Sequence, residues 1–97
     1  MRAVVVMPRA QQQLRAAERW WLQYRDKAPA AFDEDLEEIF DLLAINYAIG
    51  RPVRAYRPGI RRILAERVRY YVYYRLNARD EVEVISVWHA SRRPPRL

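Results

Sequence analysis

The chain has 97 residues, a hydrophobic fraction of 52% and a net charge of +6. That length predicts a single domain over residues 1–97, and the hydrophobic fraction excludes an intrinsically disordered chain. There is no cysteine for a disulfide framework or a thiolate metal site. No apolar run approaches the roughly 20 residues of a bilayer span, and the stretch before Pro8 is too short for a signal sequence, so the expectation is a soluble, cytoplasmic protein.

The charge is unevenly spread. The basic side chains are 17 Arg and the single Lys27. Residues 1–25 carry +4, residues 26–41 carry −6 and residues 42–97 carry +8. Arginine suits forked contacts with phosphate and carboxylate, although a GC-rich genome gives the same bias. A basic surface attracts either nucleic acid or an acidic protein, and charge alone does not choose between them.

In chain order, residues 2–7 are β-branched and short, which predicts a strand. Pro8 suits the first turn of a helix. Over 9–27, Ala10, Leu14, Ala17, Trp21 and Tyr24 fall on one helical stripe; Trp20 lies off it. Pro29 opens a second helix, roughly 29–45, with Asp33, Glu34 and Asp35 in its early turns and Phe32, Leu36, Ile39, Phe40 and Leu43 as its stripe. The short connection predicts an antiparallel helical hairpin. Residues 46–59 hold both glycines and read as a loop.

The period then changes. Residues 60–65, 68–76 and 81–88 predict three strands, with a turn at 77–80 and a Pro-bearing tail from His89 that leaves the sheet. The fold class is α+β, in the order β-α-α-β-β-β, with the hairpin packed on a small, mainly antiparallel sheet. Alternation in 68–76 puts Arg69, Tyr71, Tyr73 and Arg75 on one face, and Tyr70, Val72, Tyr74 and Leu76 on the core side.

Several local motifs resemble the RelE/ParE superfamily of bacterial toxins. They are Pro8-Arg9-Ala10 at the helix entry, Gly50-Arg51-Pro52, the run Arg57-Pro58-Gly59-Ile60-Arg61-Arg62, Tyr70 to Leu76, and Val84 to Arg93. Their order and spacing span nearly the whole chain. The resemblance implies the toxin of a type II toxin–antitoxin module, of the kind associated with plasmid stabilization, that inhibits growth when free. It also implies a cognate antitoxin, with a toxin–antitoxin heterotetramer among the assemblies it allows. It does not fix the target. ParE-type members bind DNA gyrase; RelE-type members cleave mRNA on the ribosome. Against the RelE pattern, Tyr71 and Ala90 stand where arginines are expected, Arg96 stands near the expected tyrosine, and the lysine pair is missing. The resemblance is therefore closer to the ParE type, which binds its target without catalysis.

The candidate residues follow from both readings. His89, the only histidine, is either a general acid or base, or a hydrogen-bonded anchor for the tail. If the chain is a metal-independent ribonuclease, its candidates are His89, Arg69, Arg92 and Arg93. The expected partner-binding surface is Trp20, Arg61, Arg62, Arg69, Tyr71, Tyr73 and Arg75. Its basic–aromatic face can take nucleic acid, receive an antitoxin segment, or be a solvated sheet face. Trp21 is expected in the core, and the acids from Asp33 to Asp41 on a solvated helix face. No cofactor, metal or membrane partner is expected, because a lone histidine argues against zinc and only Gly50 and Gly59 could serve a phosphate loop.

Overall fold

The computed structural model describes all residues, Met1–Leu97. Strand β1 is Val4–Val6, helix α1 is Pro8–Tyr24 and helix α2 is Ala31–Ile45. A single 3-10 turn, Tyr47–Ile49, leads into strands β2 (Arg51–Pro52), β3 (Arg61–Ala65), β4 (Tyr70–Leu76) and β5 (Val82–His89). The sheet order is β1-β5-β4-β3-β2. All pairings are antiparallel except β1 with β5, the first strand of the chain lying parallel to the last. Both helices pack on one face, α1 mainly over β5 and α2 over β3. The α+β class and the β-α-α-β-β-β order are as the sequence predicts, with β2 added from inside the expected loop.

The helix ends have local causes. Pro8 starts α1 because its missing N–H would be unpaired there in any case. The helix stops at Tyr24, before the expected Lys27, because the chain turns to bring the Ala28 carbonyl within 2.7 Å of the Trp21 indole N–H. Pro29 stands in the connection, and α2 begins two residues later with Asp33 and Glu34 at its positive end. Ala10, Ala17 and Trp21 from α1 meet Phe32, Leu36, Ile39 and Leu43 from α2 over a floor of Val72, Tyr74, Val82, Val84 and Val87.

Two backbone details correct the simple alternation. Arg69 is not in a strand: it sits at φ 66 in the tight turn between β3 and β4. In β5, Tyr73 pairs with Ser86 and Tyr74 with Val84, so Ile85 is an extra residue with no partner. This β-bulge lets both Val84 and Val87 face the helices, although they are an odd number of residues apart. It accounts for the change from clean alternation to an apolar run within this strand.

The second sheet face is not wholly open. The tail leaves β5 and turns back across it, pinned by its carbonyls. Trp88 Nε1 donates to Arg93 at 2.6 Å, the Tyr56 hydroxyl donates to Pro95 at 2.5 Å, and the Arg9 guanidinium donates to Arg96. Tyr56 meets Tyr73 edge-on, with ring centroids 5.9 Å apart. Tyr73 is left only 1% exposed.

Candidate partner-binding site

A concavity of about 580 Å³ lies between the second half of α1 and the end of β5. It exists because β1 is short. β1 pairs with β5 only at Val82–Val84, leaving the rest of that strand edge without a neighbouring strand. Gln13 from α1 takes over one position. Its side-chain oxygen accepts from the Val87 N–H at 2.8 Å and from the Ser86 hydroxyl at 3.0 Å, as a neighbouring strand's carbonyl would. One turn further along the helix, Ala16 and Ala17 are too small to fill the gap, and the groove opens there.

Its walls are aromatic and its rim is cationic. Trp20, 41% exposed, forms one side, with the Arg25 guanidinium 4.9 Å from its ring centroid. Trp88 forms the other, with Arg92 stacked at 3.8 Å. Val87, Ala17 and Tyr70 line the interior, and no Asp or Glu is among the lining residues. Burial pushes the Tyr70 hydroxyl above its ordinary pKa, against a smaller opposing effect of Arg92. His89 is held beside the groove: its Nδ1 lies 2.7 Å from the Ser91 hydroxyl and accepts from the Ser91 N–H at 3.1 Å, and its ring meets Tyr70 edge-on at 5.0 Å. These contacts fix the turn by which the tail leaves the sheet. No group of three His, Asp or Glu side chains gathers as a set of metal ligands.

The structure divides the residues expected to form one surface. Trp20 lines the groove, together with His89 and Arg92. Arg62 lies on the second sheet face, 4.0 Å over the Tyr71 ring and 3.2 Å from the Tyr73 hydroxyl. Arg61 does not accompany it. Arg61 pairs with inward-facing Tyr74 and donates to the Gly50 carbonyl at 2.7 Å, because adjacent strand residues point to opposite faces. Tyr73 is buried, and Arg75 is held by Glu83 at 3.2 Å. Arg69 is exposed in its turn and is not among the groove-lining residues, and its carbonyl accepts from Ala90 at 2.8 Å. Arg93 likewise lies outside that lining and serves through its carbonyl. Of the four ribonuclease candidates, His89 and Arg92 line the groove.

Sequence reasoning missed Trp88, Arg25, Gln13 and the Ala16–Ala17 gap. The only available signal was a pair of small residues just before two tryptophans on one helix.

These features define a class: a small basic α+β domain with two helices on one sheet face and an apolar groove rimmed by arginine. The family described as "ParE toxin of type II toxin-antitoxin system, parDE" matches residues 4–94, and the chain belongs to this family. Among solved structures, the chain is similar to one described as "Chromosomal ParDE TA system from P. aeruginosa", with a TM-score of 0.75 and 22% identity over 94% of this chain and 98% of that one. At that identity the likeness concerns the fold. No curated protein matches the sequence. Membership of the family implies a cognate antitoxin as partner. No helix is long and apolar enough to cross a membrane.

Proposed function

We propose that this ParE-family toxin blocks bacterial growth by binding an essential enzyme, DNA gyrase, and that its antitoxin silences it by filling the groove between α1 and β5. The observation that carries the partner reading is the groove itself. It has two indole walls and two arginines with no acid among its lining residues, which suits an apolar segment bearing carboxylates. Tyr71 and Arg62 extend the contact surface beyond Trp88, since Tyr71 is its cross-strand neighbour. Binding without catalysis is supported by the departures from the RelE pattern and by His89, whose Nδ1 is engaged by its own turn.

One experiment tests both parts. Purified toxin is added to a gyrase supercoiling assay and, separately, to ribosomes translating a defined mRNA, each with and without antitoxin. Loss of supercoiling that antitoxin restores is the expected result. Codon-specific cleavage of the mRNA, with supercoiling unaffected, would replace gyrase by the ribosome. In the same assays Trp20→Glu should need about tenfold more antitoxin for neutralisation, because truncated or repelled aromatic anchors cost about 1–3 kcal/mol at such contacts. Unchanged neutralisation would remove the groove as the antitoxin site.

A further inference from the structure

We propose that the sheet face turned away from the helices binds single-stranded nucleic acid. This goes beyond the antitoxin and gyrase reading, and its central arginine pair lies outside the groove.

The first observation is a pair of aromatic rings on neighbouring strands, each with a guanidinium over it. Leu64, Tyr71 and Trp88 lie side by side across β3, β4 and β5 on this face. The rings of Tyr71 and Trp88 each carry a guanidinium, Arg62 at 4.0 Å and Arg92 at 3.8 Å. A guanidinium lying on a ring keeps a flat outer surface and its N–H donors. It therefore offers a base something to stack on and a phosphate something to bind.

The second is an unrelieved charge pair. Arg51 and Arg62 sit directly opposite each other in the β2–β3 register, so both project to this face. Like charges at directly opposed sheet positions are destabilising. Neither has an acidic partner, and of all the arginines only Arg2, Arg67 and Arg75 are in ion pairs. Glu83, the acid that β5 places opposite Arg75 on this face, is already neutralised by it. A phosphate seated between Arg51 and Arg62 would remove the repulsion.

An acidic protein would satisfy the charges at Arg51 and Arg62, but an occupant that also stacks on the ring-borne guanidiniums makes fuller use of the face. A duplex presents its phosphates but hides its base faces. Single-stranded nucleic acid uses both features, and the choice between DNA and RNA rests on the 2′-hydroxyl.

The test uses the full-length toxin and fluorescein-labelled twenty-nucleotide oligothymidylate, oligouridylate and a duplex of equal length, read by fluorescence anisotropy. Expected is binding of one or both single strands more tightly than the duplex, weakening as salt rises from about 50 to about 200 mM. The ratio of the two single strands identifies DNA or RNA as the source. Arg62→Glu and Arg51→Glu should each weaken single-strand binding about tenfold or more, and Arg51→Glu, outside the antitoxin contact surface, should leave antitoxin binding unchanged. Arg19→Glu, an equal charge change on the exposed side of α1, should alter it by less than about twofold. Arg62→Lys, which keeps the charge and loses the stacking plane, should still bind several-fold more weakly. Four results would overturn the proposal: duplex bound as tightly as single strand, Arg19→Glu as damaging as Arg62→Glu, full affinity in Arg62→Lys, or displacement by poly-glutamate as effective as by oligothymidylate. The last would assign the face to an acidic protein. Thermal melts of each variant separate loss of binding from loss of fold.

Discussion

Tyr74 shows how one residue can hold a loop to a sheet. It is fully buried in β4, and its hydroxyl accepts from the Gly50 N–H at 2.7 Å while donating to the Tyr47 carbonyl. Burial raises the pKa of this hydroxyl, keeping it a neutral donor. Gly50 is required by close approach: a Cβ there would run into the Tyr74 ring and hydroxyl and lie 2.8 Å from the Arg62 carbonyl. Tyr74→Phe keeps the ring but leaves the Gly50 N–H without its acceptor. We expect a loss of about 1–3 kcal/mol, measured by urea unfolding. A change below about 0.5 kcal/mol would mean that water replaces the hydroxyl at no cost.

At the scale of elements, α1 does what a longer β1 would have done. Gln13 satisfies the exposed edge of β5, and the next turn of the helix supplies the groove. Gln13→Leu has similar bulk but leaves the Val87 N–H and the Ser86 hydroxyl unpaired in a buried setting. The expected effect is a loss of about 1–3 kcal/mol, with faster hydrogen exchange at the Val87 amide. Unchanged exchange there would show that the edge is protected by packing alone. The tail is a second such device. It has no regular structure, yet through its carbonyls it covers Tyr73 and ties Tyr56, α1 and β5 to one strap.

The whole molecule carries a pH signature. Tyr56, Tyr70 and Tyr74 have hydroxyls raised above the ordinary value of 10.0, chiefly by burial. Above about pH 10 the unfolded chain loses these protons while the folded chain keeps them. The folded state then binds more protons, so stability falls as pH rises through this range. Denaturant unfolding should therefore give a lower stability at about pH 11 than at about pH 8, and phenolate absorbance should show a late-titrating component from Tyr56, Tyr70 and Tyr74. A single transition of all the tyrosines at the ordinary value would contradict the packing described for β4 and the tail.

The amino-acid sequence by itself determined the kinds of element, their order and the helix stripes, because periods of two and of 3.6 residues are local and survive in any packing. Trp21 in the core and Trp20 at the surface were legible for that reason, as was the family from its ordered motifs. Only the tertiary structure decided which faces were free. The bulge at Ile85 shifts the register of β5, the turn at Arg69 removes that residue from its strand, and Arg61 and Arg62 part to opposite faces. Tyr73 is buried by Tyr56 and by a tail that reaches Tyr56 from 39 residues further along the chain. The groove needs a short strand, a glutamine and two alanines brought beside β5 from the far end of the sequence. Contacts between distant segments leave no periodic trace, so the site took shape only when the chain closed on itself.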